Sequence, residues 1–455
     1  MNKTRKYNKK RNNKTKKIGG SNPYTNMDTK TLDDVLPILE RKKNSMVASL
    51  LEYPKRVKSL FKFYITEDNN SIQKFVFTNK KSKELSTIGS KGSIHTHTLS
   101  DGNKLVFKIS YEKLKFIIKI IKNKKYNRYA KKILDCYTPL PVDIIIGSSE
   151  FINETIIGFF LDYFISSSNI IQTSSYVKQH DAFIVNKKSC NVMELADKGD
   201  LSDFSKKFPE FLNNNTINEN VVINIFIQLF TLLHFLQSNF NYTHNDLKAD
   251  NIFVSSQPFS GMYQNTNLPS APFTVKLADY GKNAFTINGV KYFTIHTGAK
   301  GFISKVYSNM HKTDIKKITS GKHINGFYFE LPNSITAQEL GVYLLSRHSG
   351  LPYMAELDTY SLIISLYLTP GFHMLFQQSS FFSEFWNNLW ISDEEATRVS
   401  NICNKFFRKQ TKHTMGDIYR MMSKNDFKLI CGMTNKIWIS LKSIIENPDI
   451  NIELI

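Results

Sequence analysis

The stretch Tyr242–Val254, YTHNDLKADNIFV, decides how this chain is read. His244, Asp246, Leu247, Lys248 and Asn251 stand in the spacing H-x-D-L-K-x-x-N. An apolar helical pattern precedes this polar group, and an apolar strand pattern, Ile252-Phe253-Val254, follows it. The group is therefore expected in a short loop on a buried scaffold. It places a carboxylate, an ammonium and an amide within a few residues. Phosphoryl transfer calls for that set: a carboxylate to orient a hydroxyl, a cation for the moving phosphate and an amide oxygen for a metal ion. Five fixed identities at fixed spacing arise by chance roughly once in ten thousand chains of this length.

The surrounding chain supplies matching groups in order. Thr274–Leu277 reads as a strand and leads into Asp279-Tyr280-Gly281. That strand and tight turn would bring the Asp279 carboxylate opposite Asn251, where the two could share a metal. Upstream, Thr87-Ile88-Gly89-Ser90-Lys91-Gly92-Ser93-Ile94 is a turn whose glycines let backbone N–H groups approach phosphate oxygens. Leu105–Ile109 is an apolar strand with one lysine, Lys108. Glu150–Phe164 has a strong helical pattern containing Glu154, with Glu150 one turn earlier.

Taken together, these motifs resemble the eukaryotic-type protein kinases, and Lys248 favours the Ser/Thr branch. The resemblance spans about residues 85–370. It implies an α+β, bilobal protein-kinase-like fold, with a small β-rich N-lobe over a larger helical C-lobe, ATP in the cleft and Mg²⁺ as the metal. It implies Asp246 as base, Lys248 at the γ-phosphate, and Asn251 and Asp279 as metal ligands. Lys108 would hold the α- and β-phosphates, paired with a helix glutamate: Glu154, with Glu150 as the alternative. Ile88, Gly89, Gly92 and Ile94 would cover the nucleotide. Met193 would guard the back of the pocket, and the backbone near Glu194 to Ala196 would meet the adenine edge. Asp358, at an expected helix start, would accept hydrogen bonds from the catalytic loop or simply cap the helix.

The sequence also departs from the family. Thr87 stands where the first glycine would be, and Tyr280 replaces phenylalanine. Asn245 replaces the arginine that grips a phosphorylated activation segment, which implies activity without that phosphorylation. Residues 282–350 carry no Ala-Pro-Glu and are expected to form an expanded activation segment.

The rest of the chain bounds the reading. The 455 residues, 41% hydrophobic and 22% charged, have the composition of a soluble globular protein. The net charge of +21 favours polyanions or acidic surfaces. Residues 1–20 hold nine Lys/Arg and no acid; they are expected to be a disordered basic tail, a possible handle for nucleic acid or an acidic partner. Its composition is similar to leaders in proteins of large cytoplasmic DNA viruses. Residues 21–70 read as a helical extension, 71–195 as the N-lobe with a basic helical insertion near 111–140, and 196–455 as the C-lobe. The Pro/Ser/Asn-rich stretch after Val254 is expected to bulge into solvent. Cys136, Cys190, Cys403 and Cys431 match no metal spacing and read as reduced thiols of an intracellular, cytoplasmic protein, in a host cytoplasm or virion if viral. Val221–Phe240 is apolar enough for a membrane span, but its Asn224, Gln228, His234 and Gln237 favour a buried core helix, so no span is expected. The competing functions are a small-molecule phosphotransferase of the same fold and a non-catalytic scaffold associated with nucleic acid or virions. Protein substrates are the partners the first reading implies.

Overall fold

The computed structural model describes residues 32–66, 83–88, 92–98, 104–110, 118–122, 143–147, 149–166, 175–185, 188–207, 212–213, 216–217, 219–294, 355–390, 392–407 and 432–447. The basic tail, Gly89, Cys136, Cys431 and residues 295–354 of the expected activation segment lie outside them.

The smaller lobe is built on a five-stranded antiparallel sheet: β1 (Lys83–Ile88), β2 (Gly92–Thr98), β3 (Lys104–Ser110), β6 (Gln179–Val185) and β7 (Lys188–Glu194), in the order β1-β2-β3-β7-β6. Side chains alternate across a strand. Phe107 and Ile109 therefore share a face with Val192 and Cys190, and this face packs on Leu39 of helix α1 (Leu32–Glu52). The opposite face carries the cross-strand pair Lys108 and Asn191. Helix α3 (Glu150–Ser166) lies against that polar face.

Helix α1 and helix α2 (Val57–Thr66) wrap the back of α3. Val47, Leu50, Phe61 and Ile65 join its apolar side chains in the main core. A polar seam crosses the same contact. Lys43, fully buried, pairs with Asp162 of α3 and with Glu40 at 2.7 Å. Tyr64 Oη donates to Asp181 Oδ1 at 2.8 Å. The helical extension is thus part of the packed lobe.

The expected basic helical insertion near 111–140 is corrected where it is described. Ile118–Lys122 is a strand, β4, antiparallel to β5 (Asp143–Gly147). The β-branched side chains Ile118, Ile120, Ile121 and Ile144 to Ile146 favour a pleated surface over a helix once a partner strand is available. β5 in turn pairs in parallel with β15 (Val290–Thr294), which forms a hairpin with β14 (Ala284–Ile287). The segment just after Asp279-Tyr280-Gly281 is therefore anchored to strands that precede α3 in the chain.

Strands β8 (Leu212–Asn213) and β9 (Thr216–Ile217) form a small antiparallel pair after the short helix α4 (Leu201–Ser205). The larger lobe is organised on α5 (Glu219–Phe240). This helix is long and apolar enough to cross a membrane, but 94% of its most apolar window is buried within the fold. Around it stand α6 (Ala355–Tyr367), α7 (Pro370–Gln378), α8 (Ser380–Leu389), α9 (Asp393–Phe407) and α10 (Met433–Ile445). Cys190 and Cys403 are buried thiols that form no disulfide.

The polar residues of α5 have a structural use. The Pro/Ser/Asn-rich stretch folds into a hairpin, β11 (Phe259–Tyr263) and β12 (Thr266–Ala271), which docks onto the lobe instead of bulging into solvent. Asn224 Nδ2 donates to the carbonyls of Pro269 and Ser270, and Gln228 Nε2 to that of Phe273. His234 Nδ1 meets Tyr263 Oη at 2.6 Å, and Trp438 Nε1 donates to Gln264 Oε1. Buried carbonyls need donors, and these side chains supply them.

Candidate active site

Two short strands set the lower half of the site. β10 (Ile252–Ser255) pairs with β13 (Thr274–Leu277), Ile252 opposite Leu277. The ladder continues one step further, the Ala278 N–H donating to the Asn251 carbonyl at 3.1 Å. Asn251 and Asp279 therefore lie diagonally at the open end of this ladder. Asn251 Nδ2 donates to the Asp246 carbonyl at 2.7 Å, which leaves its side-chain oxygen as the group available to a ligand. Asp279 is in the left-handed region, with φ at 60°, and its side chain is 46% exposed.

The catalytic-loop backbone is fixed from below. Asp358, in the first turn of α6, accepts from the N–H groups of His244 at 2.5 Å and Asn245 at 2.8 Å. Of the two readings of Asp358, loop anchoring is thus the one its carboxylate takes up. His244 is fully buried, its Nε2 2.8 Å from the Ala278 carbonyl. Burial holds its imidazole below the ordinary value, so it is neutral and structural at pH 7. Asn245 adopts φ 61°, a conformation that asparagine tolerates and arginine does not favour.

The upper half is set by the polar face of the sheet. Lys108 Nζ is 2.8 Å from Glu154 Oε1 and 3.7 Å from Asp279 Oδ1. Glu150, the alternative partner, is the residue against which Gly281 packs: a Cβ on Gly281 would sit 3.1 Å from the Cβ of Glu150. Asn191 Nδ2 donates to Glu154 Oε2 at 2.8 Å, so both carboxylate oxygens are held. Burial works against the Lys108 charge, but Glu154 and Asp279 outweigh it and raise its pKa, so the ammonium stays protonated at pH 7. Burial likewise opposes ionisation of Asp279; Lys108 and Lys282 reverse this and hold its carboxyl below the usual range.

Helix α3 is tied to the Asp279-Tyr280-Gly281 turn. Asn153 Nδ2 lies within 2.8–3.3 Å of the carbonyls of Tyr280, Gly281 and Asn283. Tyr280 Oη lies 2.6 Å from the Leu277 carbonyl and 3.0 Å from that of Val177. A phenylalanine here could make neither contact.

At the other sites the outcome is mixed. Ile88 is register-paired with Gly92, and Gly89 lies outside the described residues. Ile94 lies on β2 directly opposite Lys108. Met193 and Glu194 end β7, and Ala196 is buried just beyond. The N–H of Glu194 donates to the Lys178 carbonyl, and that of Leu195 to the Lys104 carbonyl. Those two donors are therefore engaged within the sheet. The Glu194 carboxylate is held by buried Lys276 at 3.0 Å. Lys248 Nζ lies 3.2 Å from Asp250. The cation on Asp246 is a different one: Lys282 Nζ sits 2.6 Å from Asp246 Oδ2. Lys282, Asn153 and Asn191 were not singled out from the sequence. The first two adjoin motif residues, which is the one signal that could have found them.

The protein kinase domain family matches residues 116–305 of this chain. A protein of Acanthamoeba polyphaga mimivirus, carried under a provisional name as serine/threonine-protein kinase R679, is 28% identical over 217 residues. That alignment covers 44% of this chain and 29% of the relative, so the chain matches less than a third of the relative's length. Among solved structures, the BubR1 kinase domain aligns at 13% identity with a TM-score of 0.37, covering 88% of this chain and 98% of that one.

Proposed function

We propose that this chain, whose residues 116–305 match the protein kinase domain family, is a eukaryotic-type Ser/Thr protein kinase that transfers the γ-phosphate of ATP to serine or threonine hydroxyls of protein substrates. The observation that carries the reading is the Lys108 ammonium, 2.8 Å from buried Glu154 and 3.7 Å from open Asp279. A lysine serving only the fold has no need of a second carboxylate that faces a cleft. A triphosphate placed there would meet the ammonium already oriented.

In this mechanism the substrate hydroxyl oxygen bonds the γ-phosphorus as the bond to the β-bridging oxygen breaks. ADP leaves with that electron pair, and Asp246 accepts the hydroxyl proton. Lys248 moves from Asp250 to the transferring phosphate, a shift its partial exposure permits. Glu194 and Leu195 keep their N–H groups in the sheet, so the adenine edge falls to backbone beyond them, around Ala196. The donor set fits magnesium: one open carboxylate on Asp279 and one amide oxygen on Asn251, with phosphates and water completing the shell. When bound, the ion neutralises charge developing on the phosphates.

The test is transfer of label from γ-labelled ATP with Mg²⁺ to a basic and an acidic protein, beside Asp246→Asn. Label on serine or threonine that falls by about 10²- to 10⁴-fold in the variant supports the reading. Equal transfer by the variant, or none by the native chain, overturns it.

A further inference from the structure

We infer that Lys282 is a positioning residue for the Asp246 carboxylate and that it takes over an ordering task the loop has lost with Asn245; this rests on the phosphotransfer reading above. Lys282 Nζ is 2.6 Å from Asp246 Oδ2. Among the described residues the carboxylate is thus held at one oxygen and met by no donor at the other, Oδ1. An orienting base needs that division: a fixed plane with one lone-pair site left for the hydroxyl.

The contact is built from both sides. Lys282 follows the Asp279-Tyr280-Gly281 turn directly, in a short 3₁₀ segment, Tyr280–Lys282. Asn245 Nδ2 donates to the Lys282 carbonyl at 2.9 Å, and Asn153 Nδ2 donates to the carbonyls of Tyr280, Gly281 and Asn283 around it. The backbone of Lys282 is therefore fixed to the catalytic loop through Asn245 and to α3 through Asn153, and its side chain returns to Asp246. Burial disfavours the Lys282 charge, but Asp246 and Asp279 more than offset this, so it remains a cation. A phosphorylated activation segment would serve to bring an ordered cation and loop together. Here side chains within the loop and turn do so without a phosphate, and Asn245 serves as the link.

Lys248 does not duplicate this role, because its ammonium lies with Asp250. Two cations thus flank the reacting atoms with separate partners: one for the carboxylate and one free to move to the phosphate. The direct ion pair of Lys282 is with Asp246, whereas Lys108 pairs with Glu154 and Asp279.

The experiment compares the full chain with Lys282→Met, Lys282→Arg and Asp246→Asn. Three quantities are measured on each: phosphate transfer to a casein and histone mixture, affinity for a fluorescent ATP analogue, and thermal midpoint. Loss of one charge-assisted contact to the base predicts a fall in kcat of about 10- to 100-fold for Lys282→Met. Analogue affinity measured without Mg²⁺ should be unchanged, the fall in kcat should exceed anything a change in thermal midpoint accounts for, and Lys282→Arg should recover most of the rate. A Lys282→Met enzyme as fast as the native chain, or faster, overturns the inference, as does a rate loss that tracks lower stability or weaker nucleotide binding. If the native chain transfers no label, both this inference and the function it rests on fall; if only Lys282→Met is silent in effect, the function stands and the inference alone fails.

Discussion

Replacing Lys43 by methionine should loosen the contact between the N-terminal helices and α3. Lys43 and Asp162 are 0% and 1% exposed at their side chains. Removing one partner of a buried ion pair typically costs about 3–5 kcal/mol, because the other charge stays in a medium that solvates it poorly. Asp162 would retain some support: Tyr176 Oη at 2.5 Å, Ser166 Oγ at 3.3 Å and the Lys178 ammonium at 3.7 Å. Methionine fills much of the lysine volume, so the cavity contribution is small. The expected cost is therefore at the lower end, about 3 kcal/mol. For a chain of this size that corresponds to a fall in thermal midpoint of roughly 3 °C. The double variant Lys43→Met with Asp162→Asn removes both charges and should recover most of the loss, a coupling of about 2 kcal/mol. Two lobes need not unfold as one, so hydrogen exchange across residues 32–52 is the companion measurement. Protection there should fall in the single variant and return in the double. Coincident melting of Lys43→Met and the native chain, or strictly additive single effects, would refute the claim that this pair fixes the helices.

Two further outcomes are expected. Gly158→Ala should destabilise despite alanine's better helix propensity, by about 1–3 kcal/mol, because its Cβ would meet the Gln179 Cβ at 2.8 Å and the Tyr280 ring at 3.3 Å; chemical denaturation of the variant measures this, and a gain in stability would contradict the packing of α3. Burial, with Lys178 and Lys43 nearby, pulls the His180 pKa down to about 3 from 6.5, so the unfolded chain binds a proton that the folded chain refuses as pH falls through that window. Stability should therefore drop with acid below about pH 6.5, this residue contributing at most about 1.4 kcal/mol per pH unit. A melting series from pH 7 to 4 should be flatter in His180→Asn, and parallel curves would count against it.

The sequence by itself determined the candidate reacting groups. Asp246, Lys248 and Asn251 lie within one loop, and Asp279 sits in the strand-turn motif, so chemistry and spacing are local and can be read from the letters. Asn245 was legible as a departure for the same reason. The bilobal α+β architecture was implied by the family resemblance that these motifs carry. Tertiary structure decided what depends on partners distant in the chain. Whether Glu154 or Glu150 met Lys108 was open in the sequence, because both lie on one helix and its rotation is fixed by packing on both sides. The isoleucine-rich run at 118–122 reads as part of a basic helix from its periodicity; β5 and, beyond it, β15, which lies more than 160 residues later, make it a strand. Nothing in the sequence sets Lys43 apart from its neighbours; packing of α3 buries it with Asp162. Lys282 is one of many cations in a chain of net charge +21, and only the fold brings the turn it ends back onto Asp246. Local spacing fixes which groups are present, and packing of remote segments fixes which of them touch.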